Sequence, residues 1–101
     1  MTYKILSHKL VKKDLKDAAM FYAKISIKLA DRFLDEVTVA KDFLAGNPYA
    51  NDMMYEDIRQ HLLKKFPYHL HYIIEEESKS VVILAITFAK KGNIKTSRII
   101  K

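Results

Sequence analysis

The chain has 101 residues, half of them hydrophobic and 30% charged, with 18 Lys and Arg against 12 Asp and Glu for a formal net charge of +6. This length suits one domain, 1–101, with a modest single core, and the composition excludes a disordered chain. No cysteine is present, which excludes disulfides, thiol nucleophiles and Cys-based zinc sites, while the excess of cations favours an acidic partner such as nucleic acid, an acidic protein or an anionic surface.

The opening "MTYKILSHKLVKKD" lacks the apolar core of about 7–15 residues that marks a signal peptide. A cytoplasmic protein without membrane contact is expected. Within it, "YKILS" (3–7) alternates and reads as a short strand. Val11, Leu15, Ala18, Tyr22 and Ile25 then recur at spacings of 4, 3, 4 and 3, with Lys12, Lys13, Lys16, Asp17 and Lys24 on the opposite side. That pattern predicts an amphipathic helix over about 8–24, with Ser7 as its N-cap. A second helix follows, capped by Ser26 and striped by Ala30, Phe33, Val37, Ala40 and Leu44. Gly46 and Pro48 stop it. The short link at Ile25 and Ser26 predicts a tight antiparallel helical hairpin.

"GNPYANDMM" (46–54) reads as a loop, with Met53 and Met54 filling the core beneath it. Beyond it the period changes from helical to alternating. "YEDIRQHLL" (55–63), "FPYHLHYII" (66–74) and "SVVILAITF" (80–88) each read as a strand, the last two joined by the polar turn "EESKS". The unbroken apolar run Val81 to Ile86, which no other run exceeds, falls far short of the roughly 20 residues that span a bilayer. Because it does not alternate, both its faces are covered and it is an inner strand. The order β-α-α-β-β-β gives the class α+β: a helical hairpin packed on one face of a twisted, mostly antiparallel sheet.

Side chains of a strand alternate between faces. Phe66, Tyr68, Leu70, Tyr72 and Ile74 form the core face of 66–74, which leaves Pro67, His69, His71 and Ile73 on the other. Two exposed strand histidines side by side have a spacing that a metal can use, but a metal needs three or four ligands. His8 and His61 are distant in sequence, so no metal site and no cofactor is expected. Glu75–Glu77 read as a solvated run. No Gly-rich phosphate loop and no Ser-His-Asp or paired-carboxylate pattern is visible. From Ala89 onward Lys90, Lys91, Lys95, Arg98 and Lys101 occur with no acidic residue. This basic end is either a solvated terminus or a surface for nucleic acid or another target.

Read together, these segments resemble the RelE/ParE superfamily of type II toxin–antitoxin toxins, often catalogued as plasmid stabilisation proteins. "AAMFYAKISIKLADRFLDEV" (18–37) is similar to the family's helical hairpin, with Ile27 where Pro is frequent. "GNPY" resembles its stop after the second helix. "IRQHLLKKFPYHLHYIIEE" resembles its strand pair, with Arg59, Phe66, Pro67, Tyr68 and Tyr72 in place, and "VVILAIT" resembles the strand that follows. The resemblance covers nearly the whole chain and implies the same helical hairpin on a twisted antiparallel sheet.

It also implies one of two activities. RelE-like members are ribosome-dependent, metal-independent mRNA endonucleases that use basic residues on the sheet face. The corresponding residues here are Arg59, His69, His71 and Lys91, with Phe88 replacing a frequent His and no Tyr after Tyr72. ParE-like members lack that set and are thought to act on DNA gyrase. The missing terminal group favours the ParE-like side, with no catalysis of its own and with Lys90, Lys91, Lys95 and Arg98 as target-binding residues. A non-toxic relative that only binds a partner is the third reading. The implied partners are a cognate antitoxin, wrapped on the helical hairpin or a sheet edge, and gyrase or the ribosome with mRNA. The assembly would be a homodimer or a toxin–antitoxin hetero-oligomer.

Overall fold

A computed structural model describes residues 2–91. Strand β1 (Lys4–Ser7) leads into helices α1 (Val11–Ala23) and α2 (Ile27–Gly46). Strands β2 (Met53–Tyr55), β3 (Ile58–Leu62), β4 (Tyr68–Glu75) and β5 (Ser80–Phe88) follow, and a short 3-10 turn spans Ala89–Lys91. The five strands form one sheet in the order β1-β5-β4-β3-β2. β1 runs parallel to β5, and the remaining pairs are antiparallel. The fold is α+β: two helices packed on a mixed, mostly antiparallel sheet. No helix of the described residues is long and apolar enough to cross a membrane.

The helices form where the apolar stripes predict them. Val11, Ala18 and Tyr22 of α1 are buried, as are Ala30, Phe33, Val37, Ala40 and Leu44 of α2. Ser26 caps α2, its Oγ accepting from the Leu29 amide at 3.3 Å. Asn47 terminates α2, its own amide and its side-chain Nδ2 both donating to the Phe43 carbonyl. The expected cap at Ser7 is not observed, because Ser7 is the last residue of β1 and pairs with Ile83. α1 instead begins after a turn at 8–10, where His8 Nδ1 accepts from the Leu10 amide at 3.1 Å and the His8 carbonyl from the Val11 amide; the N-cap is Leu10, which has no side-chain cap.

Residues 55–63 are not one strand. The chain reverses at Glu56–Asp57, so β2 and β3 form a tight hairpin and Tyr55 pairs with Ile58. Glu56 takes a φ of 51° there. A left-handed residue is the usual need of a two-residue turn, and it is ordinarily met by Gly or Asn. Glutamate in that place left no mark in the sequence. Met53 and Met54 accordingly lie on edge strand β2, more than half exposed, and not in the core.

β5 is an inner strand, as expected, and is buried from Ser80 through Ile86. The main core lies between the helical hairpin and the sheet. At its centre Tyr22, Phe33, Phe66 and Tyr68 make edge and tilted ring contacts with centroids 5.0–6.1 Å apart. A second cluster, Ile58, Ile73, Val82 and Leu84, lies on the opposite face of the sheet. One register shift separates the pairs His71–Ala85 and Tyr72–Ile83, leaving Leu84 as the extra residue of β5. Next to it, the Ile86 amide donates to Asp14 Oδ2 of α1 at 3.1 Å, which ties the irregular part of β5 to the helix.

Candidate functional site

Cross-strand pairing decides which side chains can act together, because directly opposed residues share a face. Gln60 opposes His71 and Leu62 opposes His69, so these four point away from the helices. Arg59 opposes Tyr72 and His61 opposes Leu70, so both basic residues lie on the helix side. The sheet therefore separates Arg59 from His69 and His71. The cation and imidazoles that the family resemblance groups into one set are not brought together.

Each of these residues has a definite environment. Arg59 is half-buried: Nη1 donates to the Asn51 carbonyl, and the guanidinium carbon lies 5.0 Å from the centre of the Tyr49 ring. It is a clamp on the loop at 47–52. His71 is fully buried, contrary to the exposed histidine pair expected from alternation. Its Nδ1 is 3.0 Å from Tyr55 Oη and its Nε2 is 2.7 Å from Thr87 Oγ1. Both ring nitrogens are thus used inside the fold, linking β2, β4 and β5. The alternation that places His71 off the main core correctly identifies its face, but that face also carries an apolar cluster. His69 is half-buried 6.1 Å from the His71 ring, and burial lowers its pKa, keeping the imidazole neutral. Among the described residues no group of three or more His, Asp or Glu side chains is placed to hold a metal ion.

The basic end begins where β5 closes. Lys90 is exposed in the turn Ala89–Lys91, which is anchored by the Ala89 amide donating to the Pro67 carbonyl at 2.7 Å. Lys91 closes that turn. Lys95 and Arg98 lie outside the described residues. Phe88, half-exposed, packs edge-on against Tyr68 at 5.6 Å, so the side chain standing at the end of the last strand is an apolar extension of the aromatic core.

Two polar clusters were not legible from spacing, since each is assembled from segments far apart in the chain. In the first, the buried Tyr72 hydroxyl donates to the Pro48 carbonyl at 2.8 Å and accepts from Asn51 Nδ2 at 3.2 Å. Asn51 Nδ2 also lies 3.0 Å from His61 Nδ1, and the His61 ring stacks on Phe43 at 5.5 Å. Burial first, and Lys64 second, lower the His61 pKa, which favours the neutral ring that can accept from Asn51.

In the second cluster, Glu76 at the β4–β5 turn accepts from Lys79 Nζ at 2.6 Å, from Tyr3 Oη at 2.8 Å and from Tyr49 Oη. Those bonds, with the Lys79 one foremost, hold its carboxyl down at about 2. The two tyrosine hydroxyls are pushed up in turn, first because each donates to Glu76 and would lose that bond on ionising, then by burial and by the negative charge of Glu76. The glutamate run is therefore not merely solvated, since its middle member joins Tyr3 just ahead of β1, the 47–52 loop and the β4–β5 turn.

Comparison with known proteins accords with this architecture. The family model described as "ParE toxin of type II toxin-antitoxin system, parDE" matches residues 5–90. No curated protein matches the sequence. Among solved structures, the fold is similar to that of a chain in the chromosomal ParDE TA system from P. aeruginosa, with a TM-score of 0.76 at 16% identity over 88% of this chain and 98% of that one. It is also similar to a chain of the toxin–antitoxin complex RelBE2 from Mycobacterium tuberculosis, with a TM-score of 0.64 at 20% identity over 89% and 95%. A third similar chain belongs to the archaeal RelE–RelB complex from Pyrococcus horikoshii OT3, with a TM-score of 0.54 at 20% identity over 91% and 100%. With the family model spanning both the helical hairpin and the full sheet, the chain belongs to the ParE toxin family of type II toxin–antitoxin systems.

Proposed function

We propose that this toxin is ParE-like in action: it binds and inhibits DNA gyrase in the cytoplasm, and a cognate antitoxin neutralises it. The observation that carries the reading is the division of the basic residues between the two faces of the sheet. Metal-independent RNA cleavage needs a base, an acid and a cation converging on one phosphate. Arg59 is engaged with Asn51 and Tyr49 on the helix side, and His71 is enclosed on the other side. Lys90 and Lys91, with Lys95 and Arg98 beyond, supply cations at the basic end for contact with an acidic surface. The solved relatives are toxin–antitoxin complexes, which supports an antitoxin partner. The purified protein is expected to block gyrase-dependent supercoiling, and Lys90→Ala with Lys91→Ala is expected to weaken the block. Unimpaired supercoiling at saturating protein would remove this reading.

One observation favours a second activity. His69 remains half-exposed on the open face, with its pKa lowered by burial, as a general base requires. As an mRNA endonuclease the protein would truncate message in a translation extract, and His69→Ala would abolish the truncation. A chain that does neither and leaves growth normal would be a partner-binding relative without toxicity.

A further inference from the structure

Half of the net charge of +6 sits in residues 8–24, where five lysines stand against Asp14 and Asp17. Lys9 lies in the turn ahead of α1, and Lys12 and Lys16 lie four residues apart on one side of the helix. All three are exposed, and none is in an ion pair among the described residues. Both carboxylates are engaged. Asp17 pairs with Lys13 at 2.9 Å and cancels that lysine, while Asp14 is half-buried and accepts from the Ile86 amide. The Asp14 bond also sets the first half of α1 beside the end of β5, whose chain runs on to the exposed Lys90.

Helix stability does not explain this placement. Lys12 and Lys13 stand in the first turn of α1, where the helix dipole repels cations and favours carboxylates. A local preference set aside in this way is expected at a surface kept for a ligand, here an anionic one. What lies between the lysines decides the kind of anion. No Phe, Tyr or Trp occurs among residues 8–19, so no ring is offered to an unstacked base. Leu10 is the one large apolar side chain exposed there, too little for the buried anchors on which a protein interface rests. A duplex backbone asks for neither. A rise of about 1.5 Å per residue sets Lys12 and Lys16 about 6 Å apart along α1. A duplex presents a phosphate about every 3.4 Å along each strand, so the two side chains reach separate phosphates. We propose that Lys9, Lys12 and Lys16, with Lys90 at the adjoining end of β5, hold the phosphate backbone of duplex DNA, so that the toxin grips the DNA on which gyrase acts as well as the enzyme. This rests on the gyrase reading above for the source of the duplex.

Backbone contacts of this kind carry no sequence preference and are weakened by salt. The test is fluorescence anisotropy of a labelled mixed-sequence duplex titrated with the intact toxin at several salt concentrations, without gyrase, alongside supercoiling inhibition. Four phosphate contacts give log affinity against log salt a slope of about −3.6. Lys12→Glu combined with Lys16→Glu changes two exposed positions and puts a carboxylate in the first turn of α1, so thermal unfolding should match or exceed the parent. This double variant is expected to bind the duplex about tenfold or more weakly, with a slope shallower by about 2. Its inhibition of supercoiling should weaken in step, and a scrambled duplex should bind as well as the first. Duplex binding by the double variant within about twofold of the parent, or a slope near zero, overturns the ridge. So does tighter binding of a single-stranded RNA of the same sequence, or a loss confined to antitoxin binding. A double variant that loses the duplex and still inhibits supercoiling like the parent keeps the gyrase reading and overturns the grip on its DNA. A parent that binds the duplex through the ridge yet leaves supercoiling untouched overturns the gyrase reading and leaves the DNA surface standing.

Discussion

Replacing Arg59 by alanine separates a structural cation from a catalytic one. The guanidinium donates to the Asn51 carbonyl and rests on the Tyr49 ring at 5.0 Å. A hydrogen bond from a charged group contributes about 1.5–3 kcal/mol and a cation–π contact at an exposed site about 0.5–1. Arg59 is only half-buried, so water recovers part of both, and the expected loss is about 2 kcal/mol. For a domain of this size that lowers Tm by roughly 10 °C and the urea midpoint by about 1 M, with an unchanged denaturant slope. The assay is paired: equilibrium urea unfolding, and supercoiling inhibition per folded molecule at a temperature where both proteins are native. Arg59→Ala should lose stability and keep its inhibition. In a double-mutant cycle with Tyr49→Leu the coupling should be about 0.5–1 kcal/mol. The reasoning fails if stability changes by less than about 0.5 kcal/mol while activity disappears.

Phe33 is fully buried at the centre of the aromatic cluster, and Phe33→Ala should cost about 3–5 kcal/mol, enough to leave the protein largely unfolded at growth temperature, as circular dichroism would register. Ser26→Ala removes the α2 cap and should cost about 1 kcal/mol, with Ser26→Asp restoring most of it in thermal melts. Glu76 has its carboxyl held at about 2 against an ordinary 4.5, so its contribution to stability is complete above about pH 4.5 and is lost as pH falls toward 2. Glu76→Gln should flatten the stability profile in that window, and an unchanged acid limb would show that the Tyr3, Tyr49 and Lys79 contacts do not act together.

Local pattern was enough for much of this molecule. The two apolar stripes with Ser26 and the Gly46–Pro48 stop set the helical hairpin. The unbroken run from Val81 to Ile86 set the inner strand, and alternation assigned Phe66, Tyr68, Leu70 and Tyr72 to the core face. These features are readable because helix period, strand period and capping act over a few residues. The β2–β3 hairpin was hidden because its left-handed turn residue is Glu56 and not glycine. The environment of each basic residue was hidden for a different reason: faces and partners are set by strand register. Register alone placed Arg59 on the opposite side of the sheet from His69 and His71. Packing buried His71 between Tyr55 and Thr87, from strands 16 residues away in either direction. Glu76 likewise collected hydroxyls from Tyr3 and Tyr49, 73 and 27 residues distant. The sequence by itself determined every element except the β2–β3 hairpin, and the toxin family, through patterns that each span a turn or a strand. Only the tertiary structure decided which charged and imidazole groups are free to meet a target, because that depends on contacts between residues the chain keeps far apart.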